Sequence, residues 1–315
     1  MDNKNFQQVR RIPGFHLGLY SFTLCVIVLL MIFPVAMHAQ HMDQRYKVAV
    51  VDLMILKRQK AGAFQLAREI GADGVEVDMG GLGNRPTFDN QLLKDSVRNQ
   101  FLELAEKYNL EIPSLAMTGY YAQSFCERTE YLQSIRDCIE TMKRMNVKVA
   151  FLPLGIQCDL SKRPDLRDSV VNRLKTAGKL AEAAGVVIGI ETALDAKSEL
   201  QLLKDVGSGA IKSYFNFSNA LKNNRDLHKE LKTLGSKYIV QIHCTDDDGV
   251  WLQDNTRLDM YKVKKTLDEM KWSGWLVIER SRDAKDPTNV RKNFTANTTF
   301  VKSVFQSPLT AVKAN

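Results

Sequence analysis

The chain has 315 residues, 44% of them hydrophobic and 25% charged, with a net charge of +8. That balance suits a soluble protein with one large core, and a barrel of about 250 residues would use most of the length without a second domain. No basic run is interleaved with aromatics, which argues against a single-strand nucleic-acid binder. Lys262, Lys264 and Lys265 read instead as a solvated helical face.

Residues 1–39 differ in kind from the rest. Lys4, Arg10 and Arg11 precede a charge-free stretch from Leu17 to Met37, and Ala36-Met37-His38-Ala39 closes it. Basic, apolar and small-residue segments in that order describe an export signal. Met37 is bulky for the third position before a cut after Ala39, and the apolar stretch is long enough to span a bilayer, so the reading covers an uncleaved anchor too. Losing this segment lowers the net charge by two, to +6. The expected location is outside the cytoplasm, in the periplasm, with no membrane contact beyond this segment and the oligomeric state left open. Cys25 follows the bulky Leu24 and does not read as a lipid-attachment site. Cys126, Cys138, Cys158 and Cys244 are spaced too irregularly for a zinc knuckle or a disulfide framework.

From Tyr46 to Phe305 short apolar runs alternate with helical patterns, the signature of βα units around a parallel sheet. The expected strands are Tyr46–Asp52, Gly74–Met79, Ile112–Met117, Val147–Leu154, Val186–Thr192, Ile211–Phe217, Tyr238–Thr245 and Gly274–Arg280. Between and after them, Ala61–Ile70, Leu92–Tyr108, Tyr131–Met145, Leu166–Ala184, Leu200–Val206, Leu227–Leu234, Met260–Met270 and Val290–Phe305 carry apolar residues at three- and four-residue spacing. Gly71, Gly185, Gly235 and Gly274 stand where a helix stops before the next strand. Eight units in this order predict a closed (β/α)₈ TIM barrel in a single domain, over residues 46–305, followed by a loose tail at 306–315. The chain has no G-x-G-x-x-G or P-loop motif. The glycosylation patterns beginning at Asn293 and Asn297 read as chance occurrences.

Four of the later apolar strands each end on a polar donor: Glu191, Asn216, His243 and Glu279. A strand covered on both faces needs a reason for such a residue at its C-terminal end, which in a barrel is where chemistry sits. If the strands close in order, the four converge at one side of the mouth. Two carboxylates, an imidazole and an amide oxygen make a ligand set suited to Mn²⁺, Mg²⁺, Co²⁺ or Zn²⁺.

Four pieces, Gly189–Thr192, Tyr214–Ala220, Ile242–Asp246 and Val277–Arg280, resemble in order and spacing the xylose-isomerase-like superfamily of sugar isomerases and epimerases. The resemblance covers roughly Tyr46 to Phe305. It implies a Glu, Asp, His, Glu metal set at Glu191, Asn216, His243 and Glu279, and proton abstraction beside a carbonyl through an enediolate. Glu191 and Glu279 would serve as the acid and base. Three positions depart from the family pattern: Asn216 replaces an aspartate, Asn219 a histidine and Thr245 a lysine. The amide brings no charge, so weaker metal retention or a different metal preference is expected.

Further expected substrate contacts are Glu76, Thr118, Tyr120, Gln157, Lys197, Asn219, Asp246, Trp251 and Arg257, with Tyr121 and Gln123 as neighbours of the same loop. Of Glu76 and Asp78 only one is expected to face the interior, and Arg280 is expected to point away if its strand stays regular. The absence of a phosphate motif, together with export, favours a non-phosphorylated sugar or sugar derivative as substrate. The competing readings are a lyase on a 3-keto-glycoside and a non-catalytic sugar-binding barrel. A related DNA-repair endonuclease would need a histidine-rich zinc cluster, and after residue 39 only His41, His228 and His243 remain.

Overall fold

A computed structural model describes residues 44–307. The export segment at 1–39 lies outside them, as does the tail from 308 onward. Eight strands, β1 (Tyr46–Val51), β2 (Gly74–Asp78), β3 (Leu115–Ala116), β4 (Val149–Pro153), β5 (Val187–Glu191), β6 (Ile211–Asn216), β7 (Ile239–His243) and β8 (Gly274–Ile278), close in sequence order into a barrel. Every pairing is parallel, including β1 with β8. This is the expected (β/α)₈ architecture. The helices are α1 (Gly62–Glu69), α2 (Asp95–Tyr108), α3 (Tyr131–Met145), α4 (Arg167–Ala184), α5 (Ala196–Val206), α6 (Phe217–Lys222), α7 (Leu227–Leu234), α8 (Met260–Glu269) and α9 (Val290–Phe305). Among the described residues no helix is long and apolar enough to cross a membrane.

Alternation along each strand divides the protein into two cores, because successive side chains leave opposite faces. Val48 and Val50 of β1 join the large core under the helices, while Ala49 and Val51 join Ala116, Phe151, Tyr214 and Val277 inside the barrel. The helices complete the outer layer through one apolar face, as α3 does with Ile135, Cys138, Ile139, Met142 and Met145. At the end of α4, Gly185 takes φ +65°, a left-handed conformation that glycine adopts without a side-chain penalty, and its N–H closes on the Ala181 and Glu182 carbonyls. Gly189 serves a different purpose: a Cβ there would lie 2.9 Å from Val240 and 3.0 Å from the Tyr214 Cβ, so its absence leaves the interior room for Tyr214.

The structure departs from the sequence expectations in four local places. β3 is two residues long, because Pro113 has no N–H to give the ladder; its carbonyl instead accepts from Gln241 Nε2 at 3.0 Å. α5 begins at Ala196, four residues early, because Asp195 caps it by accepting from the Ser198 N–H at 2.9 Å. The chain does not continue as strand through Phe217; it turns there into α6, capped by Asn216. Finally, Cys126 and Cys158 form a disulfide, their Cα atoms 5.7 Å apart, tying the loop after β3 to the loop after β4. Their 32-residue separation hid a contact that exists only because consecutive barrel loops are neighbours. Cys138 and Cys244 are buried and free.

Candidate active site

Glu191 ends β5, Asn216 ends β6, His243 ends β7, and Glu279 is the first residue after β8. Each stands two residues beyond an interior position, Gly189, Tyr214, Gln241 or Val277, so strand periodicity turns all four inward. Register places Asn216 directly beside His243. The side chains meet as a hydrogen-bonded knot. Asn216 Nδ2 donates to Glu191 Oε2 at 3.0 Å and lies 3.3 Å from Glu279 Oε2. His243 Nδ1 lies 3.1 Å from Glu191 Oε2 and 3.9 Å from Glu279 Oε2.

A second layer orients the knot. His243 Nε2 lies 3.3 Å from Glu76 Oε1, and the other oxygen of Glu76 accepts from both Ser114 and Tyr214 at 2.6 Å. Phe151 and Tyr214 pack on the imidazole, with ring centroids 4.7 and 4.5 Å away. Burial alone would depress the His243 pKa. The Glu279 charge and the hydrogen bonds to Glu191 and Glu76 outweigh it and hold the imidazole well above its usual value. Glu279 Oε1 accepts from the Tyr121 hydroxyl at 3.0 Å, and Asn219 Nδ2 donates to Glu191 Oε1 at 3.3 Å. Burial, then the charges of Glu279 and Glu191, push the Tyr121 phenol far up, so it remains a donor. Glu191, Asn216, Asn219, Glu279 and Tyr121 border a cavity of about 270 Å³.

Residues 64–297 match the family described as xylose isomerase-like TIM barrel. The chain belongs to this family. A 2-epi-5-epi-valiolone 7-phosphate 2-epimerase from Actinoplanes sp. is 24% identical over 187 residues, which span 59% of this chain and 67% of that protein. The structure of a D-psicose 3-epimerase with D-tagatose from Clostridium cellulolyticum superposes with a TM-score of 0.66 at 14% identity, covering 82% of this chain and 99% of that one. The IolI protein with a bound zinc atom gives a TM-score of 0.60 at 18% identity, covering 83% and 100% of the two chains. At these identities the superpositions speak to the fold.

In this xylose isomerase-like barrel no three or more His, Cys, Asp and Glu side chains among the described residues form a ready-made metal centre. The knot explains why, since the donors are spent on one another. The donor chemistry nevertheless fits a divalent ion at three places. Glu191 Oε2 and Glu279 Oε2 lie 3.1 and 3.9 Å from His243 Nδ1, a spacing close to that of neighbouring ligands on bonds of about 2.0–2.2 Å. A cation there would take the place of the Nδ1 proton. Asn216, expected to contribute its amide oxygen, is turned the other way: Oδ1 accepts from the Ser218 N–H at 2.9 Å as the cap of α6 and Nδ2 points at the carboxylates. An aspartate has two oxygens for these two tasks, and the amide has one.

The other expected contacts divide. Asn219 reaches the site, and Glu76 lies beneath it. The expectation that Glu76 and Asp78 face opposite ways is wrong, because residues two apart on a strand share a face. Asp78 is also buried, bonded to Arg58 and Thr118. Thr118 therefore serves Asp78 and lines no part of the cavity. Tyr120 points into the outer core against Phe88 and Phe125 and bonds Ser134; its neighbour Tyr121 takes the place expected of it, since adjacent residues of a tight 3₁₀ turn diverge. Gln157 is exposed and lies 3.4 Å from the Tyr121 carbonyl, and Gln123 accepts from Arg128. Lys197 is exposed on the first turn of α5, outside the cavity lining. Asp246 and Arg257 bind each other at 2.7 Å, and Trp251 donates to Asn293 at 2.8 Å, so none of these three faces the cavity. Asn293 and Asn297 are buried. Arg280, expected to point away, lines the cavity because the strand ends at Ile278 and Ser281 adopts φ +65°. Lys162 and Lys222 also line it and were missed. Tyr214 carried a readable signal, lying two residues before Asn216 on the same face.

Proposed function

We propose that the barrel is a sugar isomerase or epimerase that moves a proton at a carbon beside a carbonyl, acting on a non-phosphorylated sugar or sugar derivative outside the cytoplasm. The observation that carries this reading is the pair Glu191 and Glu279, held by one amide nitrogen at 3.0 and 3.3 Å and both bordering the same cavity. One carboxylate takes the proton and the other returns it on the opposite face, which inverts a stereocentre. The knot keeps each carboxylate in place by a separate donor, Asn219 for Glu191 and Tyr121 for Glu279. Glu76 fixes the imidazole of His243, and the barrel floor of Phe151 and Tyr214 excludes water below it.

The negative charge that grows on the substrate oxygen is too basic to form unaided at neutral pH. A divalent ion, such as Mn²⁺, Mg²⁺, Co²⁺ or Zn²⁺, held by Glu191, His243 and Glu279 would supply Lewis acidity worth several kcal/mol. The family membership and the epimerase activities named for the relatives support this choice of chemistry.

The test is incubation of the purified protein, with and without each metal, in deuterated water with ketoses and 3-keto-glycosides, followed by NMR. Deuterium gained at the carbon beside the carbonyl, together with the epimer or isomer, is the expected result. Release of an aglycone would instead assign the same carboxylates to a lyase. Tight sugar binding with no exchange under any metal would leave a binding protein.

A further inference from the structure

Three cationic side chains line the cavity: Lys162 after β4, Lys222 at the end of α6, and Arg280 after β8. Two are committed. Lys162 lies 3.0 Å from Asp159, and Lys222 lies 2.8 Å from Asp247. Arg280 is different: its backbone N–H donates to Thr245 Oγ1 at 3.0 Å, but among the described residues its guanidinium has no hydrogen-bond or ion-pair partner. Its charge is felt at Asp248, yet that carboxylate is already bound by Arg282 at 2.6 Å.

Arg280 is half-buried at the cavity, and its guanidinium nitrogens are not among the buried atoms left without a partner, so they remain open to an acceptor that a ligand brings. Its planar fork matches a carboxylate or phosphate, which accept two parallel N–H bonds. The electrostatics point the same way. Glu191 and Glu279 face this cavity, so an anionic ligand is repelled unless a cation offsets them, and a neutral sugar needs no such cation. The loop after the eighth strand is also a recurrent place for anion recognition in this architecture.

We propose that Arg280 binds an anionic group on the substrate, the carboxylate of a sugar acid, and so sets the substrate class of the site. The proposal rests on the cavity being the substrate pocket of the isomerase reading.

Calorimetric titration tests this with matched triplets, for example D-galactose, D-galacturonate and D-galactose 6-phosphate, with the corresponding glucose and fructose series alongside. The uronate is expected to bind about 10–100-fold tighter than its neutral partner, the range of a charge-assisted hydrogen bond. A gain confined to the phosphate ester overturns the carboxylate assignment. Arg280→Gln should bring the anion down to the affinity of the neutral sugar, and Arg280→Lys, which keeps the charge and loses the fork, should fall between. Melting temperatures of both variants report whether they fold. A preference for the anion that survives in a folded Arg280→Gln overturns the proposal. So does the absence of any anionic preference, or of binding by any member of the series. Solvent-deuterium exchange, read separately, keeps the two ideas apart. Anion binding through Arg280 without exchange sinks the isomerase reading alone, and exchange with no anion preference, or with one that survives in Arg280→Gln, sinks this one alone.

Discussion

Replacing Asn216 by aspartate exchanges an NH₂ group for an oxygen at the centre of the knot, with opposite consequences in metal-free and metal-loaded protein. The α6 cap survives, because one carboxylate oxygen can still accept the Ser218 N–H now bonded at 2.9 Å. The other oxygen arrives where Nδ2 now lies 3.0 and 3.3 Å from Glu191 and Glu279. Two hydrogen bonds to charged acceptors disappear, at about 1.5–3 kcal/mol each. Like charges about 3 Å apart add a further penalty of roughly 5 kcal/mol per pair at an effective dielectric of 20, which proton uptake by one carboxylate largely relieves. A net loss of about 3 kcal/mol in metal-free protein is a conservative expectation, or roughly 6–12 °C in melting temperature for a domain of this size.

With a divalent ion the sign reverses. The introduced aspartate completes a fourth ligand that the amide withholds, and affinity should rise by at least the ~10–100-fold that supporting groups confer on metal sites. The assay is differential scanning calorimetry of chelator-treated Asn216→Asp and wild-type protein, followed by titration with Mn²⁺ and Zn²⁺. The expected pattern is a lower metal-free melting temperature and a larger metal-induced rise in the variant. Equal metal affinities, or a metal-free variant as stable as wild type, would refute the claim that Asn216 presents its N–H to the two carboxylates.

Tyr121→Phe removes the donor on Glu279 and should lower turnover about 10–100-fold, as steady-state kinetics on any substrate found would show, with a fall of roughly 3–12 °C in melting temperature. Glu199 is fully buried, and burial, opposed by its Thr192 hydrogen bond, raises its pKa from 4.5 to about 7. A carboxyl raised on folding contributes stability below pH 4.5 that is lost as pH climbs through about 7. Glu199→Gln should therefore flatten denaturant-measured stability over that window, by roughly 3 kcal/mol at 1.4 kcal/mol per unit; an unchanged slope would contradict the assignment. Replacing Cys126 and Cys158 by serine opens a loop of 32 residues and should cost about 3–4 kcal/mol, measured as a shift in denaturation midpoint absent under reducing conditions.

The barrel was legible because its signals are local. Apolar runs, helical spacing and stop glycines such as Gly185 each depend on a few neighbours in the chain. Convergence of Glu191, Asn216, His243 and Glu279 followed from strand order alone. What escaped depends on facts that no local pattern encodes. Asn216 looks like a strand-end ligand until α6 starts after it and claims its oxygen as a cap. Tyr120 and Tyr121 are chemically equivalent in sequence, and only the turn decides which reaches Glu279. Lys197 and Lys222 both follow polar strand ends, yet the first lies on the outer surface of α5 and the second at the cavity. The Cys126 to Cys158 link needed two barrel loops to be adjacent. Glu76 was recoverable, since period-two alternation places it inside together with Asp78.

The central claim is that Glu191 and Glu279 act on opposite faces of one carbon. Its most direct measurement follows solvent hydrogen entering each of two epimers, starting from substrate deuterated at that carbon, in wild type, Glu191→Gln and Glu279→Gln. The account predicts that wild type exchanges and interconverts both epimers, while each variant exchanges one epimer only, a different one for each, and interconverts neither. Exchange of both epimers by a single variant, or loss of the same epimer in both, would contradict it.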